Sequence, residues 1–215
     1  MEAHMGIKKG KRHDFGMMLK EAGILLAITL VAGLMLGFVY ELTKEPIAKQ
    51  KDKAVREACK AVFQEADSFE AVEYVPSEEL QEQLAAAGVI SGSAYEALGS
   101  DGRLLGYVVE SISKRGYGGR LALYVGVTLD GTLGGVSILE ISETPGLGMR
   151  AEEVLVPQFQ GKKADSFVYT KSGAVADNEI DAITAATVTT RAFTNAVNGA
   201  LQMARELSAR GGANE

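Results

Sequence analysis

The sequence predicts an α+β protein: one apolar helix near the amino terminus, then an antiparallel sheet with helices packed on it. Three observations carry that expectation. Ala22 to Tyr40 is a 19-residue run without a charge. Between residues 94 and 142, a stretch rich in Leu, Val and Tyr (Arg103–Ile112) is followed by period-two alternation over Leu121–Thr128, with Asp-Gly pairs as turns. From about Val188 to Leu207 the apolar residues return at helical spacing.

The uncharged run would extend roughly 28 Å as a helix, close to the hydrocarbon thickness of a bilayer. It contains Ile24, Leu25, Leu26, Ile28, Leu30, Val31, Leu34, Leu36, Phe38 and Val39. Together these favour insertion by about 3 to 6 kcal/mol. A signal peptide would have a shorter apolar region and an A-x-A-like site; here the chain continues Glu41-Leu42-Thr43-Lys44. The preceding stretch carries Lys8, Lys9, Lys11, Arg12 and Lys20 against Glu2, Asp14 and Glu21. The positive-inside rule puts that end in the cytoplasm. The expected division is therefore a cytoplasmic arm over 1–21, a transmembrane helix over 22–42 and an extracytoplasmic domain over 43–215. Gly33-x-x-x-Gly37, with Thr29 one turn earlier, offers a small-residue face, which suits helix packing or is simply ordinary glycine usage in a membrane helix.

After the span, Thr43-Lys44-Glu45-Pro46 reads as a helix start with Thr as cap and Pro in the first turn. Ile47, Val55, Ala58 and Val62 share one face of that helix, to about Phe63. Ser77 begins a second helix through Ala87, stopped by Gly88. Strands are expected over Arg103–Ile112 and Leu121–Thr128, with turns at Asp101-Gly102 and Asp130-Gly131. A helical stretch follows near Ala151–Phe159. In the last helix Phe193, Val197, Ala200, Leu201 and Ala204 form the apolar face.

Composition removes several chemistries. Of 215 residues, 47% are hydrophobic and 23% charged, which is globular. One cysteine excludes an intramolecular disulfide and any Cys₄ metal or iron–sulfur site built by this chain alone. Both histidines, His4 and His13, lie in the first 13 residues, so the rest of the chain has no imidazole for a triad or a metal. A net charge of -6 argues against a nucleic-acid partner. Carboxylates, hydroxyls or a bound organic cofactor remain.

Four short constellations stand out. The first is Asp181-Ala182-Ile183-Thr184-Ala185-Ala186-Thr187-Val188-Thr189-Thr190, with four threonines opening the last helix. Capping needs one of them; the others suit an anion at the helix amino terminus. The second is Ser142-Glu143-Thr144-Pro145-Gly146-Leu147-Gly148, a turn after a strand or a backbone surface laid against a planar ligand. Gly116-Tyr117-Gly118-Gly119 reads as a hairpin loop. Gln158-Phe159-Gln160-Gly161-Lys162-Lys163 offers paired lysines, solvated or near an anion.

Taken in this order, one amino-terminal span, Gly-Tyr-Gly-Gly, Glu-Thr-Pro-Gly-Leu-Gly, Gln-Phe-x-Gly-Lys and a Thr-rich motif, the chain resembles the G component of Rnf electron transport complexes. It is also similar to the related C component of the sodium-pumping NADH:quinone oxidoreductase. The resemblance implies an FMN-binding domain that carries flavin covalently, esterified through its phosphate to a threonine by a separate flavin transferase. The matching residue is Thr187. Ala185 stands where the family motif has glycine. Around Thr187 the resemblance implies cofactor contacts from Asp181, Thr184, Ala185, Ala186, Val188, Thr189 and Thr190. It implies further contacts from Glu143, Thr144, Pro145, Gly146, Leu147 and Gly148, and from Gly118 and Lys162.

The function that this resemblance implies is electron carriage within a membrane complex that couples reduced ferredoxin and NAD to sodium or proton transport. The sequence has no Rossmann fingerprint and no iron–sulfur ligands, so ferredoxin and NAD would meet other subunits, and the chain alone is not a complete catalyst. The other readings are the quinone-reducing relative, or a membrane-tethered binding or sensory domain without flavin.

Overall fold

The computed structural model describes residues 11–211. It divides into two compact units, Met1–Lys53 and Ala54–Glu215. The first consists of helix α1, Lys11–Val62, whose end belongs to the second unit. From Gly16 onward this helix is long and apolar enough to cross a membrane, and none of the residues in its most apolar stretch is buried.

Here one expectation is corrected. Thr43 does not cap a new helix, and Pro46 does not open one; both lie inside α1. The Thr43 hydroxyl turns back and donates to the carbonyls of Val39 (2.9 Å) and Tyr40 (3.2 Å). The hydroxyl is turned toward the preceding turn, and the N–H groups that follow already belong to the helical ladder, so there is no helix end for it to cap. Thr29 does the same with Leu25 and Leu26. Pro46 withholds a single N–H, and the helix continues past it.

The second unit is built on a five-stranded antiparallel sheet of order β1-β2-β3-β4-β5. Its strands are β1 (Ser68–Val72), β2 (Val89–Leu98), β3 (Leu104–Ser113), β4 (Leu121–Thr128) and β5 (Leu133–Ile141). Helix α2, Glu78–Ala87, connects β1 to β2; the Ser77 hydroxyl accepts from the Leu80 N–H, and Gly88 ends the helix at φ +74°. The Asp-Gly turns sit where expected, with Gly102 and Gly131 at positive φ. The meander is longer than its sequence pattern. β2 starts at Val89, ahead of the alternation, and β1 has no pattern of its own.

Period-two alternation on β4 suggests one wet face, yet both faces are covered. Leu121, Leu123, Val125 and Val127 join the large core with the last helix, α5 (Thr187–Gly211). Tyr124 and, from β3, Val108 face the end of α1 in a smaller cluster with Cys59, Val62 and Phe63. Burial pushes the Cys59 thiol up to about 12, so it is an inert core residue.

Between β5 and α5 the chain makes a 3₁₀ turn, Gly148–Arg150, and short helices α3 (Ala151–Val154) and α4 (Val156–Phe159). Two three-residue strands follow, β6 (Val168–Thr170) and β7 (Glu179–Asp181), paired in parallel. β7 leads directly into the threonine-rich turn before α5. Phe159 stacks on Phe193 of α5, with ring centroids 5.7 Å apart, and fixes α4 to that helix.

Candidate functional site

The first turn of α5 organises the site. The N–H of Thr190 donates to the carbonyl of Ala186 at 3.0 Å. The N–H groups of Thr187, Val188 and Thr189 therefore stand ahead of the helical ladder. They add positive potential at the helix end.

The four threonines divide their work. Thr190, fully buried, accepts from the Ile183 N–H (3.1 Å) and donates to the Ala186 carbonyl (3.0 Å), which closes the entering turn. Thr189, 1% exposed, donates to Oε2 of Glu143 at 2.9 Å. Thr184 and Thr187 make no side-chain hydrogen bond among the described residues. Thr184 is exposed, whereas Thr187 is half-buried and lines a cavity.

That cavity measures about 460 Å³, within the range of small-molecule sites. Its walls are Tyr117, Glu143, Thr144, Leu147, Gly148 and residues 185–189. Three of the four sequence constellations thus meet around one space. Ala185 turns the chain at φ +63°, the left-handed region that favours glycine. A methyl group stands there at a cost of roughly 1–2 kcal/mol.

Two of the glycines also make room for close contacts between loops. A Cβ on Gly118 would lie 1.6 Å from the Ser142 carbonyl oxygen. One on Gly148 would lie 2.6 Å from the Thr189 hydroxyl. Both positions let the loops close on each other and on α5. Gly146 supplies a positive φ, +76°.

The fourth constellation supports the site from outside. Lys162 does not line the cavity; its ammonium donates to the Glu179 carbonyl at 2.8 Å. Asp181 is likewise outside the lining, and its carboxylate accepts from the Ala174 N–H. Pro145, Gly146, Thr184 and Thr190 flank the cavity lining in the chain without contributing to it. Gln158 clamps Asp181 from both sides, accepting its N–H (2.6 Å) and donating to its carbonyl (3.1 Å). Glu179 accepts from the Val175 and Ala176 N–H groups, which hold its carboxyl below the usual range. Together these bonds fix β7 and hence the start of the threonine turn.

Sequence reasoning does not single out two contributors. Tyr117 lines the cavity although three-quarters exposed; an aromatic within a glycine-rich loop is the available signal. Gln158 opens the Gln-Phe-x-Gly-Lys motif, but its role depends on a partner 23 residues away that the motif does not indicate.

Residues 116–202 match the FMN-binding domain family, and residues 12–62 match the RnfG N-terminal region. The G component of the Na(+)-translocating ferredoxin:NAD(+) oxidoreductase complex of Acetobacterium woodii is 30% identical over 95% of this chain and 100% of that protein. The G component of the Proton-translocating ferredoxin:NAD(+) oxidoreductase complex of Clostridium ljungdahlii is 32% identical over 82% of this chain and 86% of that protein. The crystal structure of Shewanella oneidensis NqrC aligns with 69% of this chain and 73% of that chain, at 20% identity and a TM-score of 0.46. With an FMN-binding domain over the cavity and near full-length likeness to named G components, the chain belongs to the RnfG family of ion-translocating oxidoreductase complexes.

Proposed function

We infer that this chain is the electron-carrying flavoprotein subunit of a membrane-bound, ion-translocating ferredoxin:NAD oxidoreductase, with FMN linked through its phosphate to Thr187. The observation that carries the acceptor assignment is the division of labour among the threonines. Thr189 and Thr190 are buried and engaged, and Thr184 is exposed. Among the described residues, Thr187 alone of the four combines a hydroxyl without an intramolecular partner with a place on both the cavity wall and the helix amino terminus.

The residues fit the group. A phosphodiester on Thr187 keeps one negative charge, and the N–H groups of the first α5 turn stand ready for it. Leu147, Val188 and the Ala185-Ala186 turn give apolar and backbone surface beside that point. Glu143 and Tyr117 add polar atoms. The isoalloxazine ring supplies the redox chemistry when bound; the protein supplies attachment and environment. Among the described residues no basic side chain hydrogen-bonds the Thr187 hydroxyl, which agrees with attachment by a separate flavin transferase.

The apolar helix anchors the chain once in the cell membrane, with the amino-terminal arm in the cytoplasm and the sheet domain outside. The basic flank supports that orientation. Partners are the other membrane subunits of the complex. The match of residues 12–62 to the RnfG N-terminal region favours the ferredoxin:NAD complex over the quinone-reducing relative. Ion choice is assigned to those other subunits, because relatives named for sodium and for protons resemble this chain almost equally.

The test is expression of the full chain with a flavin transferase, followed by a denaturing gel viewed for flavin fluorescence. The wild-type band fluoresces and Thr187→Ala does not. A fluorescent Thr187→Ala band would move the acceptor elsewhere.

A further inference from the structure

We propose that Glu143 sets the electrostatics of the flavin pocket, holding the bound ring at a lower reduction potential by placing in the cavity wall a carboxylate with no cationic side chain beside it among the described residues. This inference rests on the FMN reading above.

Glu143 is 8% exposed. Its Oε2 accepts from the Thr189 hydroxyl, while Oε1 accepts no hydrogen bond among the described residues. The carboxylate nevertheless forms part of the cavity wall. Isolated buried carboxylates are costly, and a fold normally pairs them with cations or several donors. Here the pairing is missing on the ligand side. The cavity lining contains neither lysine nor arginine among the described residues. Arg120 and Arg150, which flank the loops, pair with Glu140 (2.9 Å) and Glu153 (3.6 Å).

The carboxylate is also built in by its surroundings. A Cβ on Gly116 would lie 2.5 Å from Oε1, and one on Gly148 would lie 2.7 Å from the Glu143 Cβ. Two glycines from different loops thus make room for one acid. The Thr189 hydroxyl then fixes its direction from α5.

Reduction adds electron density to an isoalloxazine ring. A negative charge close by, in a partly dry pocket, opposes that gain more strongly than it would in water. The oxidised ring is thereby favoured over the reduced one.

The experiment uses the full chain, flavinylated in membranes by a co-expressed transferase, with the midpoint potential read by spectroelectrochemical titration. Glu143→Gln keeps the shape and removes the charge. It is expected to favour the reduced ring by about tenfold, an upward shift of ~30 mV for a two-electron couple. Glu143→Asp keeps the charge and is expected to shift the potential by less than a third of that amount. A flavin-loaded Glu143→Gln chain with an unchanged or lowered potential overturns the proposal, even if its melting temperature falls, because a purely structural role moves stability alone. A Glu143→Gln chain that takes no flavin overturns it too, since the acid would then serve attachment or folding. Wild-type chain without flavin overturns the FMN reading itself, and this inference with it.

Discussion

The two faces of the sheet are held by opposite means. On one, α5 drives large side chains into the strands: Phe193, Val197, Leu201 and Met203 are fully buried against Leu121, Leu123 and Val125. On the other, the end of α1 packs on the smaller cluster around Val108 and Tyr124, and Val62 comes close to bare backbone beside it. A Cβ on Gly126 would come within 2.3 Å of the Val62 carbonyl oxygen, and one on Gly134 within 2.6 Å. The first face is limited by volume and fails when atoms are removed. The second is limited by room and fails when atoms are added. A glycine in a strand, ordinarily a weakness, is here what admits a helix end.

Either side of that contrast can be attacked. Phe193→Ala deletes a ring stacked on Phe159 in the larger core, and should cost about 3–5 kcal/mol in urea unfolding of the detergent-solubilised chain. Gly126→Ala should cost about 1–3 kcal/mol, through displacement of the α1 end rather than through a cavity. Cys59 reports on it directly: buried in the wild type, it should label with maleimide at least about tenfold faster in the variant, an opening of roughly 1.4 kcal/mol. Equal labelling rates would show that the smaller face had absorbed the methyl group.

Ala185 inverts the situation at Gly126. Gly126 is a site where a Cβ finds no room, whereas Ala185 carries a Cβ where the backbone prefers glycine. Ala185→Gly removes the left-handed penalty and adds freedom to the unfolded chain. The net expectation is a gain of about 0.5–1 kcal/mol, seen as a higher unfolding midpoint. A loss would mean that the methyl group makes a contact worth more than the strain.

Much of this architecture is legible in the chain alone, for identifiable reasons. The span, α2 with its Ser77 and Gly88 ends, the Asp-Gly turns and the apolar face of α5 are local patterns, complete within one or two turns of chain. β1, β6 and β7 escape such reading because short strands have little internal pattern and take their identity from partners elsewhere. Thr43 and Pro46 look like a boundary in isolation. The hydroxyl finds carbonyls one turn back, and one missing N–H is not enough to stop the helix.

The site divides the same way. Thr187 and the turn around it are legible as a motif, and so are the loops carrying Glu143 and Gly118. The individual duties are not. Thr189 meets a partner 46 residues away, and Lys162 serves as a clamp on β7 rather than as an anion contact. Such assignments depend on tertiary proximity, which no spacing along the chain encodes.

One consequence of α5 concerns time. The helix lies near the carboxy-terminal end, yet it fills the main core and carries Thr187 on its first turn. The left-handed turn at Ala185, the Thr190 staple and the Glu143 contact all need that helix docked. During synthesis β1 to β5 emerge before α5, so the turn that presents Thr187 takes its shape after those strands are available. If Thr187 is modified as proposed, an enzyme that reads this turn in its folded shape would act only once α5 has docked on the sheet.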